Sequence, residues 1–352
     1  MTTLPLTGAT GAALDRLEQL CDLERWAEAL ELSRPLVDAA PEDDTLWCVL
    51  ARCYLGLAQP GPALEAARRA VALTPDHEWP HRLVSYAATV LGRHDLAVQA
   101  ARESVRLEPE LWQTHARLAG AAGQHPDGSQ EAAAASRRAL TLAPYEPEVQ
   151  LVHGAVAAKQ GRRQEAERAY RAALELDPQN ATAHHLLATL KLRRRTGPSG
   201  LARAATGFAT ALGTDPTAQI SRTGLELTLR LFLTRAAYFL FATGYLGLLF
   251  AGRPEPAARL VPVLLMALPL LFIAGFVRAL GPPLRRYLGR LLRRGGIAVA
   301  VLLGASSVAL VLAAAVAPQP IRLALAILAA VTAFAARLGL YLRIRRLGRV
   351  SG

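Results

Sequence analysis

Prolines recur along the first 217 residues at an almost constant interval. Successive members of the series are separated by 34, 34, 35, 34 and 38 residues. The series consists of Pro41, Pro75, Pro109, Pro144, Pro178 and Pro216. Because proline cannot continue a helix, each one marks a boundary between helical segments. A constant interval of this size predicts stacked helical repeats, each packed against its neighbours along the chain.

The residues between the prolines follow a recurring pattern of large and small side chains. In residues 44–77 the pattern of large, large, small and aromatic side chains is carried by Trp47, Leu50, Ala51 and Tyr54. Residues 147–180 repeat the scheme, with Gly154 at the small position and Tyr170 in the second segment. With its 34-residue period, this pattern resembles the tetratricopeptide repeat, in which two antiparallel helices form each repeat and successive repeats stack into a superhelix.

The resemblance implies an all-α fold, with a solenoid of about six helix-turn-helix repeats over residues 10–217 and a disordered N-terminus at 1–9. The repeats span 10–43, 44–77, 78–111, 112–146, 147–180 and 181–217. Two of them contain insertions, near 123–129 and 193–200, where glycine, proline and serine favour surface loops.

Beyond Pro216 the sequence becomes apolar and basic. Residues 218–352 contain 17 lysines and arginines against 2 acidic residues, whereas residues 1–217 contain 23 against 26. Four apolar runs are long enough to cross a hydrocarbon core of ~30 Å as helices. These runs are 231–251, 260–280, 297–317 and 321–342. The sequence therefore predicts a four-helix transmembrane region, joined to the repeats by a connecting helix at 218–230.

The arginines of this half predict an orientation. They gather before the first run, between the second and third runs, and in a basic tail at 343–352. The positive-inside rule then predicts a multi-pass protein of a bacterial inner membrane, with cytoplasmic N- and C-termini. In residues 282–294 the leucines fall on one helical face and the arginines occupy much of the rest, which predicts a basic amphipathic interfacial helix. Its predicted contacts with anionic lipid are Arg285, Arg286, Arg290, Arg293 and Arg294. A basic loop that only sets topology is an equal alternative.

The sequence contains no motif for catalysis. A glycine-rich phosphate loop, a nucleophile elbow and an HExxH motif are all missing, so we expect no enzyme activity, no cofactor and no metal. The basic half predicts a membrane surface as partner, not nucleic acid. His81, His115 and His184 share the fourth position of their repeats, which favours packing over metal binding. Three cysteines, an odd number, favour a reducing compartment over a disulfide framework.

The resemblance also implies a binding surface. Proteins of the family bind ligands on the concave face, formed by positions 2, 5, 9, 12 and 13 of each first helix. Transferred to this sequence, these positions predict a partner-binding groove of Arg52, Trp79, Arg82, Tyr86, Gln113, Lys159, His185 and Arg193. An aromatic and basic groove suits an extended acidic or aromatic peptide. The alternative is that these are ordinary solvated helix positions.

Taken together, these features predict a membrane-anchored scaffold or adaptor that binds proteins or peptides through a cytoplasmic solenoid. The alternative is a regulatory or structural component of a membrane transport or secretion assembly, with the four transmembrane helices forming part of the path. The small number of polar side chains in the apolar runs favours the scaffold.

Overall fold

The computed structural model describes residues 8–192, 197–214, 219–251, 257–281, 284–286 and 295–347. All regular structure in these residues is helical, so the prediction of an all-α fold is confirmed. The chain divides into an N-terminal unit, residues 1–178, and a C-terminal unit, residues 179–352. The predicted disordered N-terminus at 1–9 lies largely outside the described residues, and the first helix begins at Gly8.

Ten helices make up the described part of the N-terminal unit, each of 13 to 15 residues. They are α1 (Gly8–Asp22), α2 (Trp26–Ala39), α3 (Asp44–Gly56), α4 (Pro60–Leu73), α5 (Glu78–Val90), α6 (His94–Leu107), α7 (Trp112–Gln124), α8 (Ser129–Leu142), α9 (Pro147–Lys159) and α10 (Arg163–Leu176). Odd-numbered and even-numbered helices pair within repeats, and successive odd-numbered helices also contact one another. This is the helix-turn-helix repetition that the proline spacing predicts.

Alanine recurs where the paired helices meet. The fourth residue of each even-numbered helix is an alanine with at most 1% exposure: Ala29, Ala63, Ala97, Ala132 and Ala166. Small side chains at a crossing let two helix axes approach closely. In the fifth repeat the partner position is a glycine, because a Cβ at Gly154 would lie 2.5 Å from Cε1 of the buried Tyr170.

The second to fifth repeats also tie their first helix to the proline boundary before it. The side chain at the fourth position of the odd-numbered helix donates a hydrogen bond of 2.8 Å to the carbonyl oxygen of the boundary proline six residues earlier. The four donor and acceptor pairs are Trp47 and Pro41, His81 and Pro75, His115 and Pro109, and Gln150 and Pro144. This bond gives two of the recurring histidines, His81 and His115, a structural role.

Four of the turns within repeats contain one residue in the left-handed backbone conformation. The φ angles are 56°, 55°, 70° and 77° at Glu24, Ala58, Gly92 and Gly161. Glycine adopts this conformation without steric cost, whereas glutamate and alanine do so under strain. The same turn geometry is therefore kept even where the residue does not favour it.

In the C-terminal unit the structure describes α11 (Ala181–Leu192), α12 (Pro198–Thr214), α13 (Gln219–Ala251), α14 (Ala257–Ala279), α15 (Gly295–Val316) and α16 (Gln319–Leu347). Five of the six helices named here are longer than those of the N-terminal unit, and α11 is the exception with 12 residues. The predicted connecting helix at 218–230 is the first part of α13, which continues unbroken to Ala251. The predicted basic tail at 343–352 begins within α16, and its last five residues lie outside the described part.

Aromatic packing joins α12, α13 and α14 into one core. Phe232 stacks on Phe276 with ring centroids 3.7 Å apart, and Phe276 is fully buried. Phe208 fills the space beside Gly224, where a Cβ would lie 2.6 Å from the ring. Farther along the chain, Ser307 of α15 donates to the carbonyl oxygen of Ala329 of α16 at 2.9 Å.

Many large apolar side chains of α13 to α16 face outward, and three of the leucines are about two thirds exposed. These are Leu264, Leu271 and Leu302, with 69%, 67% and 66% exposure. Nevertheless, among the residues that the structure describes, no helix combines the length and the apolar character that crossing a membrane requires.

This finding corrects the predicted four-helix transmembrane region. The runs at 231–251, 260–280, 297–317 and 321–342 are therefore not shown to be membrane spans, and the predicted multi-pass inner-membrane location with cytoplasmic termini was wrong on the same ground. The apolar runs alone do not decide whether a helix spans, because charged residues in the same helix are costly at membrane depth. Charges interrupt the longest helices: α13 contains four charged residues in its first half, and α16 contains Arg322 and Arg337.

Candidate functional site: a groove on the N-terminal unit

The first helices of four consecutive repeats, α3, α5, α7 and α9, line one groove on the N-terminal unit. It encloses about 490 Å³, a volume typical of ligand-binding clefts. The lining residues are Trp26, Arg52, Leu55, Gly56, Trp79, Arg82, Leu83, Tyr86, Gln113, Ala116, Arg117, Gly120, Glu148 and Val152. They include three aromatic residues and three arginines, together with a carboxylate contributed by α9.

Three aromatic side chains supply most of the apolar wall. Trp26 comes from α2 and lies directly on Gly56, where a Cβ would be 2.2 Å from the indole. Trp79 packs against the core with part of its ring. Tyr86 is 48% exposed and presents its ring to the groove. Flat rings of this kind offer contact area at low entropic cost, since few side-chain torsions have to be fixed.

Two of the groove's arginines are paired with carboxylates of the chain itself. Arg82 forms a two-point ion pair with Glu78 one turn earlier on α5, with distances of 2.5 and 3.0 Å. Arg52 donates to Asp22 of α1 at 2.9 Å, and its guanidinium lies 5.8 Å from the centre of the Trp26 ring. These pairs hold both side chains in place and reduce the charge they present.

Arg117 of α7 is placed differently. Its guanidinium carbon lies 5.1 Å from the centre of the Tyr86 ring, and Nη2 donates to the Thr89 hydroxyl at 3.2 Å. Burial lowers the pKa of Arg117, although an arginine stays charged near neutral pH. One turn earlier, Gln113 lines the same part of the groove.

Glu148 stands where α9 enters the groove. Loss of surrounding water, followed by the nearby charge of Glu146, raises the pKa of Glu148, and the arginines 82 and 117 oppose that rise. The side chain keeps an exposed face. A carboxylate here makes this end of the groove less attractive to an anion than the part formed by α3 to α7.

The structure brings together five of the eight residues that the sequence assigns to the binding groove: Arg52, Trp79, Arg82, Tyr86 and Gln113. Lys159 instead donates to the Gly123 carbonyl and to Gln124 Oε1, and so closes the end of α7. His185 lies in the C-terminal unit, 3.0 Å from the Ser221 hydroxyl, and Arg193 is outside the described residues. That the five bind a partner stays a prediction.

Sequence reasoning missed three important residues of this groove. Glu148 occupies the second position of its first helix and follows from the same positional rule. Arg117 occupies the sixth position, one helical step from a position in that rule. Trp26 belongs to a second helix, and only its contact with Gly56 places it at the groove.

The predicted lipid-binding arginines are only partly described. Arg285 and Arg286 are present, whereas Arg290, Arg293 and Arg294 lie outside the described residues. The Arg285 guanidinium donates to the carbonyl oxygens of Leu280 and Arg278, both at 2.7 Å, and thereby caps the end of α14. Contact of this segment with anionic lipid stays a prediction.

A serine, a histidine and a glutamate on α8, α9 and α10 lie at the distances expected of a catalytic triad, but their burial differs from that of a catalytic triad. His153 lies 3.3 Å from the Ser136 hydroxyl and 3.0 Å from Glu165 Oε1. The Ser136 hydroxyl is fully buried and donates to the Ala133 carbonyl. A nucleophile must reach its substrate, so this cluster stabilises the interface between helices and is not a candidate active site.

Comparison with protein families matches a stretch of the fifth repeat. Residues 154–180 match the tetratricopeptide repeat. This match confirms the predicted repeat type, and repeats of this type generally mediate protein-protein interactions. A search of curated proteins finds no match.

Several solved structures resemble about half of the chain. A thermophilic tetratricopeptide repeat protein of Thermus thermophilus is 21% identical, with 53% of this chain and 99% of that one covered and a TM-score of 0.49. YrrB, described as having an unusual peptide-binding site, is 17% identical over 55% and 97%, with a TM-score of 0.35. PilF of Pseudomonas aeruginosa is 18% identical over 61% and 96%, with a TM-score of 0.44.

Proposed function

We propose that the chain is a protein-interaction module whose groove, lined by α3, α5, α7 and α9, binds an extended segment of a partner protein. The observation that carries this proposal is the convergence of Trp26, Trp79 and Tyr86 with three arginines in one cleft of about 490 Å³. Aromatic and arginine side chains are the ones that most often dominate binding energy at protein interfaces.

The geometry also favours a segment of chain over a compact small molecule. The lining comes from four consecutive first helices, so the groove runs across repeats in the stacking direction. An extended peptide offers side chains at regular intervals along such a path. The pairs of Arg82 with Glu78 and Arg52 with Asp22 keep the walls ordered before a partner arrives, which reduces the entropic cost of binding.

A displayed library of random peptides, selected on the full-length chain, tests this proposal. Selected peptides should lose at least about tenfold in affinity when Tyr86→Ala and Gln113→Ala are combined, because a groove aromatic and a polar contact are removed together. Tyr145→Ala is the matched control, since Tyr145 is 83% exposed and does not line the groove. Peptides that bind the double variant and the parent equally would refute the assignment of the groove.

A further inference from the structure

Arg117 has unused hydrogen-bonding capacity. A guanidinium carries five N–H donors, and Arg117 uses Nη2 on the Thr89 hydroxyl. Its Nε is buried and has no partner among the described residues. It also forms no ion pair with any carboxylate in the described part of the chain. A desolvated guanidinium in this state is stabilised by an anion that enters the groove.

Gln113 has the complementary deficit. Its Oε1 is buried and is likewise without a hydrogen-bond partner in the described residues. Gln113 and Arg117 are four residues apart on α7, so their side chains lie on the same face of the helix. Within the groove, α7 therefore has a hydrogen-bond acceptor without a partner next to a donor without a partner. Most buried polar groups in proteins have a hydrogen-bond partner.

The other two groove arginines do not share this property. Arg82 is held by Glu78 and Arg52 by Asp22, so an incoming carboxylate would have to compete with an existing partner at either position. Arg117 presents no such competition at bonding distance. The charge of the groove is thus least neutralised at α7, the third of its four first helices.

We propose that the groove recognises an aspartate or glutamate side chain within an extended peptide: the carboxylate accepts hydrogen bonds from Arg117, and a neighbouring backbone N–H donates to Gln113 Oε1. This inference rests on the proposed function and names the chemistry of the partner. An internal residue is favoured over a chain end, because groove lining extends on both sides of α7 and a bound chain continues in both directions.

Glu148 moderates this recognition. It lies on α9 beside the same part of the groove, and its negative charge opposes a ligand carboxylate. Its raised pKa reflects the loss of part of its surrounding water, although the side chain keeps an exposed face. Neutralising Glu148 therefore strengthens the binding of acidic peptides, while neutralising Arg117 weakens it. Opposite effects from two groove residues are not expected of a general disturbance of the fold.

The experiment uses the full chain and three pools of seven-residue peptides with random flanking positions. Two pools are blocked at both ends and have glutamate or glutamine fixed at the centre, and the third has the glutamine centre and a free C-terminal carboxylate. Capture of each pool is measured by mass spectrometry on the parent and on Arg117→Met, Glu148→Gln, Gln113→Met and the control variant Arg138→Gln. Circular dichroism verifies the helix content of each variant.

The parent should capture the glutamate pool about tenfold or more over the blocked glutamine pool, as expected for a hydrogen bond to a charged group. Arg117→Met should abolish that preference, Glu148→Gln should increase it, and Arg138→Gln should leave it unchanged, because Arg138 lies outside the groove and pairs with Glu110. Gln113→Met should weaken both blocked pools equally, because both contain the backbone N–H.

Equal capture of the glutamate and blocked glutamine pools by the parent would overturn the inference and leave the proposed function standing. Preferential capture of the pool with a free C-terminus would also overturn it, in favour of chain-end binding. If the parent captures no pool at all, the proposed function fails together with the inference. Should Arg117→Met lose helix content, Arg117→Lys provides the test, because it keeps the charge but lacks the Nε donor.

Discussion

Two buried cysteines on α1 and α3 are close enough to be joined by oxidation. The Sγ atoms of Cys21 and Cys53 are 3.7 Å apart, and their side chains are 1% and 0% exposed. The hydrogen bond with Cys53 lowers the pKa of Cys21 and outweighs the effect of burial, while the same contact raises the pKa of Cys53. We therefore expect Cys21 to supply the thiolate, which is the reactive form of a cysteine.

The stabilisation expected from this disulfide follows from the length of chain that it closes. Cys21 and Cys53 are separated by 32 residues along the sequence. Closing a loop of that size lowers the entropy of the unfolded chain by an amount worth about 3 to 4 kcal/mol. The sulfur atoms must still move together, from 3.7 Å to the ~2 Å of a disulfide bond, and the strain of that movement reduces the gain. We therefore expect oxidised protein to be more stable by about 2 to 3 kcal/mol.

The measurement compares urea unfolding of the full chain before and after treatment with diamide, a thiol oxidant. Mass spectrometry of peptide fragments identifies the linked cysteines. Cys48→Ser is the matched control. It should gain as much stability on oxidation as the parent does, because Cys48 is buried on another face of α3. Cys21→Ser and Cys53→Ser should each abolish the effect. A disulfide that involves Cys48, or a Cys21–Cys53 bond without added stability, would refute this reasoning.

Three further predictions concern stability, and urea denaturation checks each of them. Gly92→Ala should destabilise the protein by about 1 kcal/mol and Ala58→Gly should stabilise it by up to about that amount, because both positions have positive φ. Gly154→Ala should cost about 1 to 3 kcal/mol, since the new methyl group meets the Tyr170 ring. Burial lowers the pKa of His153. As pH falls below about 6.5, the unfolded chain therefore takes up a proton first and stability is lost, and His153→Gln should reduce this slope.

Each of these predictions has an outcome that would contradict it. If Ala58→Gly and Gly92→Ala changed the free energy of unfolding equally and in the same direction, backbone strain would not decide the stability of these turns. The cost of Gly154→Ala should shrink when Tyr170→Leu is added, and simple additivity would argue against a steric cause. An unchanged pH slope in His153→Gln would assign the acid sensitivity to other groups.

The repeat architecture could be predicted from the sequence because it depends on local rules repeated many times. Proline spacing gave the boundaries, and alanines at fixed places gave the helix crossings, without knowledge of any contact distant in sequence. The hydrogen bond from the fourth position to the boundary proline was not foreseen. Its donors differ in residue type, since tryptophan, histidine and glutamine all serve, and no single letter recurs.

The groove was predictable in its positions but not in its charge state. The positional rule brought five residues together correctly, yet it could not show that Arg52 and Arg82 are paired while Arg117 is not. The Arg52 partner, Asp22, is 30 residues away, so no local pattern reveals it. The transmembrane prediction failed on a different ground: the apolar runs fall almost entirely within α13 to α16, but no helix in the described residues has the length and apolar character that a span requires.

The boundary hydrogen bonds connect the repeat pattern to the groove. Each one fixes the start of an odd-numbered helix relative to the proline before it. The positions of α3, α5, α7 and α9 are therefore each set within their own repeat. Groove residues lie on these same helices. Tyr86 follows His81 by five residues on α5, and Gln113 and Arg117 lie two residues before and after His115 on α7. Replacing His115 with alanine removes the anchor of α7 without touching the groove. The position of α7 should then be less well fixed, and peptide affinity should fall. The analogous replacement of Trp47 on α3 should leave the binding of a carboxylate at Arg117 unchanged.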